Sequence, residues 1–94
     1  MDVFGGKVLK IEGGGYMQSD VLSKIDSYNA LLIALDDIKL SDAVINAELS
    51  KIRNMPLRIA KGFLCFKGSG FSVKETDEYI EELERKVLEK IMLN

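Results

Sequence analysis

The chain contains no histidine and no tryptophan, and it has one cysteine and one proline. Without histidine, neither a Ser-His-Asp nor a Cys-His catalytic arrangement can be built. Mixed Cys/His zinc sites are excluded by the same count. The lone thiol, Cys65, has no internal disulfide partner, and its neighbours Leu64 and Phe66 make it read as a half-buried thiol of a reducing compartment. No apolar run approaches the ~20 residues of a membrane span. The N-terminal Met1-Asp2-Val3-Phe4-Gly5-Gly6 has neither the basic segment nor the long apolar segment of a signal peptide. The expected location is the cytoplasm.

What is present reads as one small domain of 94 residues, 47% apolar and 30% charged. A chain this short buries only about two-thirds of its unfolded surface, so self-association would add stability. The net charge of −2 conceals a split. From residue 51 to 74 the charged residues are Lys51, Arg53, Arg58, Lys61, Lys67 and Lys74, with no acid among them. That pattern points to one anion-facing surface on an otherwise acidic body, or to bases scattered over a solvated surface or paired with acidic helices.

Periodicity sets out an α+β, mainly helical fold. Lys7–Glu12 is short, β-branched and flanked by glycine, and reads as a strand. After the turn Gly13-Gly14-Gly15, Ser19 or Asp20 caps a helix with Val21, Ile25, Tyr28, Leu32 and Leu35 on one face, broken at Asp36-Asp37. Ser41 or Asp42 opens a second helix through Val44, Ile45, Leu49 and Ile52 that stops near Asn54, before Pro56. Pro56 is expected to start one more helical turn over Leu57–Lys61. Phe63–Phe66 and Phe71–Val73 around Gly68-Ser69-Gly70 read as a short β-hairpin. Ser72 and Glu75 then form a capping box for a long C-terminal amphipathic helix. That helix carries Val73, Thr76, Ile80, Leu83 and Val87 at coiled-coil spacing, a seam for self-association or for packing on its own domain.

Shifting the sequence by 55 residues superposes two degenerate strand–turn–helix repeats, 4–35 and 59–90. Leu9, Gly13, Gly15 and Ile25 fall on Leu64, Gly68, Gly70 and Ile80. Other motifs fail on spacing. Gly5-Gly6-Lys7 lacks the P-loop frame, and Gly13-x-Gly15-x-x-Gln18 lacks the third glycine of a dinucleotide fingerprint. Asp36-Asp37 and Asp42 lack the EF-hand glycine and terminal glutamate. Glu78, Glu81, Glu82 and Glu84 read as a solvated helix face. No enzymatic activity, cofactor, metal or small-molecule substrate is expected.

Gly70-Phe71-Ser72-Val73-Lys74-Glu75-Thr76-Asp77-Glu78-Tyr79-Ile80 resembles the signature of the DivIVA-type cell-division scaffold domain. In that signature Gly-Tyr precedes Glu-Val-Asp-x-Phe-Leu at the opening of a coiled coil. The resemblance covers about residues 66–90, with a looser second copy at 11–35, and residues 36–62 match nothing in the family. It implies a non-enzymatic, dimeric or higher bacterial scaffold near the membrane. It also implies that Phe66-Lys67, set two residues further upstream than in the family, stands for the exposed aromatic-basic pair that inserts into lipid.

Three readings stay open. The first is a DivIVA-like scaffold that self-associates through Val73, Thr76, Ile80, Leu83 and Val87, and contacts an anionic membrane surface through Lys61, Phe66, Lys67 and Lys74. The second is a winged-helix-like nucleic-acid-binding regulator with its wing at Phe63–Val73. The third is a viral or plasmid-type adaptor for one unknown protein partner.

Overall fold

Two glycines decide how the chain crosses itself. In the computed structural model, which describes residues 3–4, 7–62 and 67–93, strand β3 (Ile11–Gly13) pairs antiparallel with β4 (Ser69–Phe71). Just beyond β3, Tyr16 and Phe71 exchange both backbone hydrogen bonds, each at 2.9 Å. Phe71 thus lies between two neighbours, hydrogen-bonded to Tyr16 on one side and opposite Ile11 in the β3–β4 register on the other. The backbones cross so closely that a Cβ at Gly15 would strike the Phe71 carbonyl, and one at Gly70 would strike the Tyr16 carbonyl. Only glycine permits this approach at either position.

A helix leaves each side of the crossing: α1 (Gln18–Asp37) after Tyr16 and α3 (Val73–Leu93) after Phe71. Their contacts advance together. Tyr16 donates to Asp77, Tyr28 to Glu84, and Lys90 at the far end to Asp36. The two helices therefore run parallel and stay in register. Gly15, Tyr16 and the start of α1 lie 55 residues before Gly70, Phe71 and the start of α3. Burial follows the same offset at Val21 and Thr76, Lys24 and Tyr79, and Tyr28 and Leu83, but not at Leu31 and Leu35, which are buried where Lys86 and Lys90 are not.

The correspondence ends where a third helix docks. Helix α2 (Asp42–Arg53) is capped by Ser41, whose hydroxyl accepts from the Val44 N–H, and it buries Ile45, Leu49 and Ile52 in one core with Leu31 and Leu35 of α1. The groove between α1 and α2 is walled on the α1 side by Ser27, Ala30, Leu31 and Ala34. The positions 55 residues later are Glu82, Arg85, Lys86 and Glu89, which offer a second such helix no apolar face. The molecule is elongated, 50 × 24 × 17 Å, with the β3–β4 sheet at the end where α1 and α3 begin.

The mainly helical α+β architecture, the C-terminal amphipathic helix and the Ser41 and Ser72 caps agree with the periodicity. Several details differ. The strand expected over Lys7–Glu12 is divided into β2 (Lys7–Val8), paired with β1 (Val3–Phe4), and β3. Between them Leu9 turns fully into the core, and the Lys10 carbonyl accepts from the Ser72 N–H. Met17 occupies the N-cap position of α1 and makes no side-chain cap, so neither Ser19 nor Asp20 caps the helix; both lie inside its first turn, where the Asp20 carboxylate is taken by Arg58. The helical turn expected over Leu57–Lys61 is instead extended. Met17 N–H donates to the Arg58 carbonyl and Ala60 N–H to the Gly15 carbonyl, so the segment runs along the crossing and its backbone groups bond there. The partner of β4 is β3, distant in sequence. Phe63–Phe66, the other arm of the expected hairpin, lies outside the described residues.

Two substitutions probe this architecture. Gly70→Ala forces carbonyl and Cβ apart at the crossing and should cost about 3 kcal/mol, read as a lower urea midpoint with unchanged slope. Thr76→Val should raise the midpoint, by about 1 kcal/mol. The Thr76 hydroxyl is fully buried without a hydrogen-bond partner among the described residues, and valine keeps its shape without the desolvated oxygen.

Candidate functional site

The basic run from 51 to 74 is divided by the fold into structural and free charges. Arg53, at the end of α2, pairs with Glu84 of α3. Arg58 forks onto Asp20, with Nη2 to Oδ1 at 2.9 Å and Nε to Oδ2 at 3.0 Å, while its own N–H also donates to Oδ2. These bonds hold the Asp20 carboxyl down to about 2 and fasten the extended segment after Pro56 to the first turn of α1. Lys61, Lys67 and Lys74 are exposed and have no carboxylate partner among the described residues.

Three of the four residues expected to face an anionic surface sit near the crossing. Gly14 N–H donates to the Gly68 carbonyl at 2.8 Å, which brings Lys67 alongside Gly13 and Gly14. The Lys61 carbonyl lies against Gly68, so close that a Cβ there would collide with it. Lys74 stands in the first turn of α3, and Lys10, also exposed, is tied by its carbonyl to Ser72. The fourth, Phe66, lies outside the described residues, as does Cys65. Because α1 and α3 are parallel, the positive ends of both helix dipoles also point toward this end. The same end also carries the acids Glu12 on β3, Asp20 at the start of α1 and Glu75 and Asp77 at the start of α3, of which Asp20 is taken by Arg58.

The self-association seam has a different fate. Thr76 and Val87 are fully buried and Leu83 nearly so, while Val73 and Ile80 are half-buried. The covering helix is α1 of the same chain. Of the two expectations for the seam, a second copy or its own domain, the structure has the second: α1 covers it, because the crossing launches both helices in the same direction. Thr76, Leu83 and Val87 are thus core residues of one chain and offer no free contact surface.

One polar cluster escaped the sequence reading. Glu84, read there as part of a solvated face, accepts from the Tyr28 hydroxyl at 2.6 Å and from Arg53, and so ties all three helices together. Burial and this hydrogen bond push the Tyr28 hydroxyl above its ordinary range. Lys24, buried on α1, donates to the Met55 carbonyl at 2.9 Å and the Arg53 carbonyl at 3.3 Å, closing the C-terminal end of α2. Burial lowers its pKa. A signal was available, since Lys24 interrupts the apolar stripe Val21, Ile25, Tyr28 where a free lysine would be costly.

Comparison of the chain with protein-family models, with curated proteins and with solved structures gives no match. Among the described residues no helix is long and apolar enough to cross a membrane.

The Asp20–Arg58 pair predicts an acid-sensitive element. The folded carboxyl titrates near 2 and the unfolded one near ~4, so its stabilisation is present above about pH 4 and is lost as pH falls through about 2. Asp20→Asn should lower the urea midpoint at neutral pH, and its deficit should close as the pH approaches about 2. A deficit that stays constant with pH would refute the pairing.

Proposed function

We propose that this chain is a non-enzymatic, self-associating interaction module of the DivIVA-like kind, in which two strand–turn–helix units pair within one chain. The observation that supports this reading is the in-register parallel pairing of α1 and α3 from the Gly15-Tyr16/Gly70-Phe71 crossing. The residues that carry the sequence resemblance, Gly70 to Ile80, and their looser counterparts from Gly15 to Ile25, are the ones that form the crossing and the first turns of both helices. A parallel two-helix unit is a structural element, and its purpose lies in what its ends and faces bind.

The sheet end is proposed as the face toward an anionic surface, with a membrane at the cytoplasmic side as the preferred partner. Lys61, Lys67 and Lys74 supply the charge, and Phe66 supplies the apolar tip that the resemblance implies. Each base close to an anionic lipid surface contributes about 1 kcal/mol, which falls off within a Debye length.

Sedimentation with vesicles tests the proposal. Vesicles containing anionic phospholipid should carry the protein down at low salt and release it at high salt, while purely zwitterionic vesicles should not retain it. Lys61→Gln/Lys67→Gln should reduce the partition coefficient roughly thirtyfold. Retention by duplex DNA in a gel shift with no vesicle binding would replace this reading with the nucleic-acid one. Binding to neither at low salt would remove the anionic surface and leave a protein-binding adaptor.

A further inference from the structure

Helix α3 has an apolar row beside its seam. Ile80, Glu84, Leu88 and Met92 follow one another at four-residue spacing, so they lie along one ridge of the helix. Ile80 is half-buried, Leu88 is 45% exposed and Met92 is 84% exposed. Between Ile80 and Leu88 the ridge borders a shallow groove lined by Tyr28, with Glu81 and Arg85 on its rim and no residue of α2 in its wall. Helix α2 lies over α1 and reaches this ridge only through Arg53, whose guanidinium pairs with Glu84.

The charge order along α3 selects an occupant. Glu75, Asp77, Glu78, Glu81 and Glu82 outweigh Lys74 in the first half, and Arg85, Lys86 and Lys90 outweigh Glu89 in the second, where Glu89 makes an exposed ion pair with Arg85 at 3.1 Å that an opposing carboxylate can share. A second α3 laid parallel would set acids against acids. Laid antiparallel and centred on residue 84, it sets Ile80 opposite Leu88 of the other copy and brings Glu81 beside Arg85, both on one flank of the row, while Lys90 stays with Asp36 of its own chain. Glu84, at the centre, adds no free charge, because its carboxylate is turned to the Tyr28 hydroxyl and Arg53. Such a contact is isologous, the commonest form of homodimer symmetry.

We propose that a second copy of this chain docks antiparallel on the Ile80–Leu88 row of α3, each copy's Glu81 facing the other's Arg85. The inference rests on the self-association in the reading above and gives it a surface, since the seam itself is occupied.

Sedimentation equilibrium of the full chain, from about 10 to about 300 μM, should show a mass rising from 10.5 kDa toward twice that value. Leu88 is exposed, so Leu88→Glu should leave the thermal melt nearly unchanged while raising the dissociation constant at least about tenfold. Glu81→Arg should also weaken the dimer, and more so at low salt. Glu81→Arg/Arg85→Glu restores opposite charges across the dyad and should return the constant to within about threefold of the original. A mass of 10.5 kDa throughout, a dimer indifferent to Leu88→Glu, or a double variant as weak as Glu81→Arg alone would each overturn the proposal. A monomer that still sediments with anionic vesicles would remove this dimer and leave the membrane-facing reading standing. A dimer that ignores vesicles would do the reverse.

Discussion

The crossing of Gly15-Tyr16 over Gly70-Phe71 is the constraint on which the rest of the molecule depends. Two backbone segments meet with no space for a Cβ on either glycine, and the residues after them exchange both backbone hydrogen bonds. Each segment becomes a helix within two residues. Two helices that start side by side from one crossing and leave in the same direction must share a seam, and their positive dipole ends must lie together. The buried seam and the sheet at one end are consequences of a single close approach.

The second organising element is polar. Glu84 draws Tyr28 and Arg53 to one carboxylate, and Lys24 closes the end of α2 on backbone carbonyls. Removing one member of such a cluster leaves the others desolvated and short of a partner. The cluster fixes where α2 ends against the α1–α3 pair.

The basic segment shows how a one-dimensional charge pattern is divided in three dimensions. Six bases without an acid look like one patch along the chain. In the fold, Arg53 and Arg58 are spent on Glu84 and Asp20, and Lys51 lies on α2. Lys61, Lys67 and Lys74, near the sheet end, have no carboxylate partner among the described residues, and Lys10 joins them from a different segment. Local spacing could not foresee this division, because the acids that neutralise the two arginines lie 38 and 31 residues away.

By itself the sequence determined the three helices, the Ser41 and Ser72 caps and the apolar faces, because capping and 3.6-residue periodicity are local and need no partner to be read. It also carried the 55-residue echo of glycine, aromatic and helix. Only the tertiary structure decided what the echo is for. Pairing between Tyr16 and Phe71, the extended path of residues 57–61 and the change of Glu84 from a solvated carboxylate to a three-helix hub all depend on groups that meet only when the chain has folded. The direction in which a seam finds its partner, inside one chain or between two, depends on where both helices start, and that is a property of the crossing rather than of the heptads.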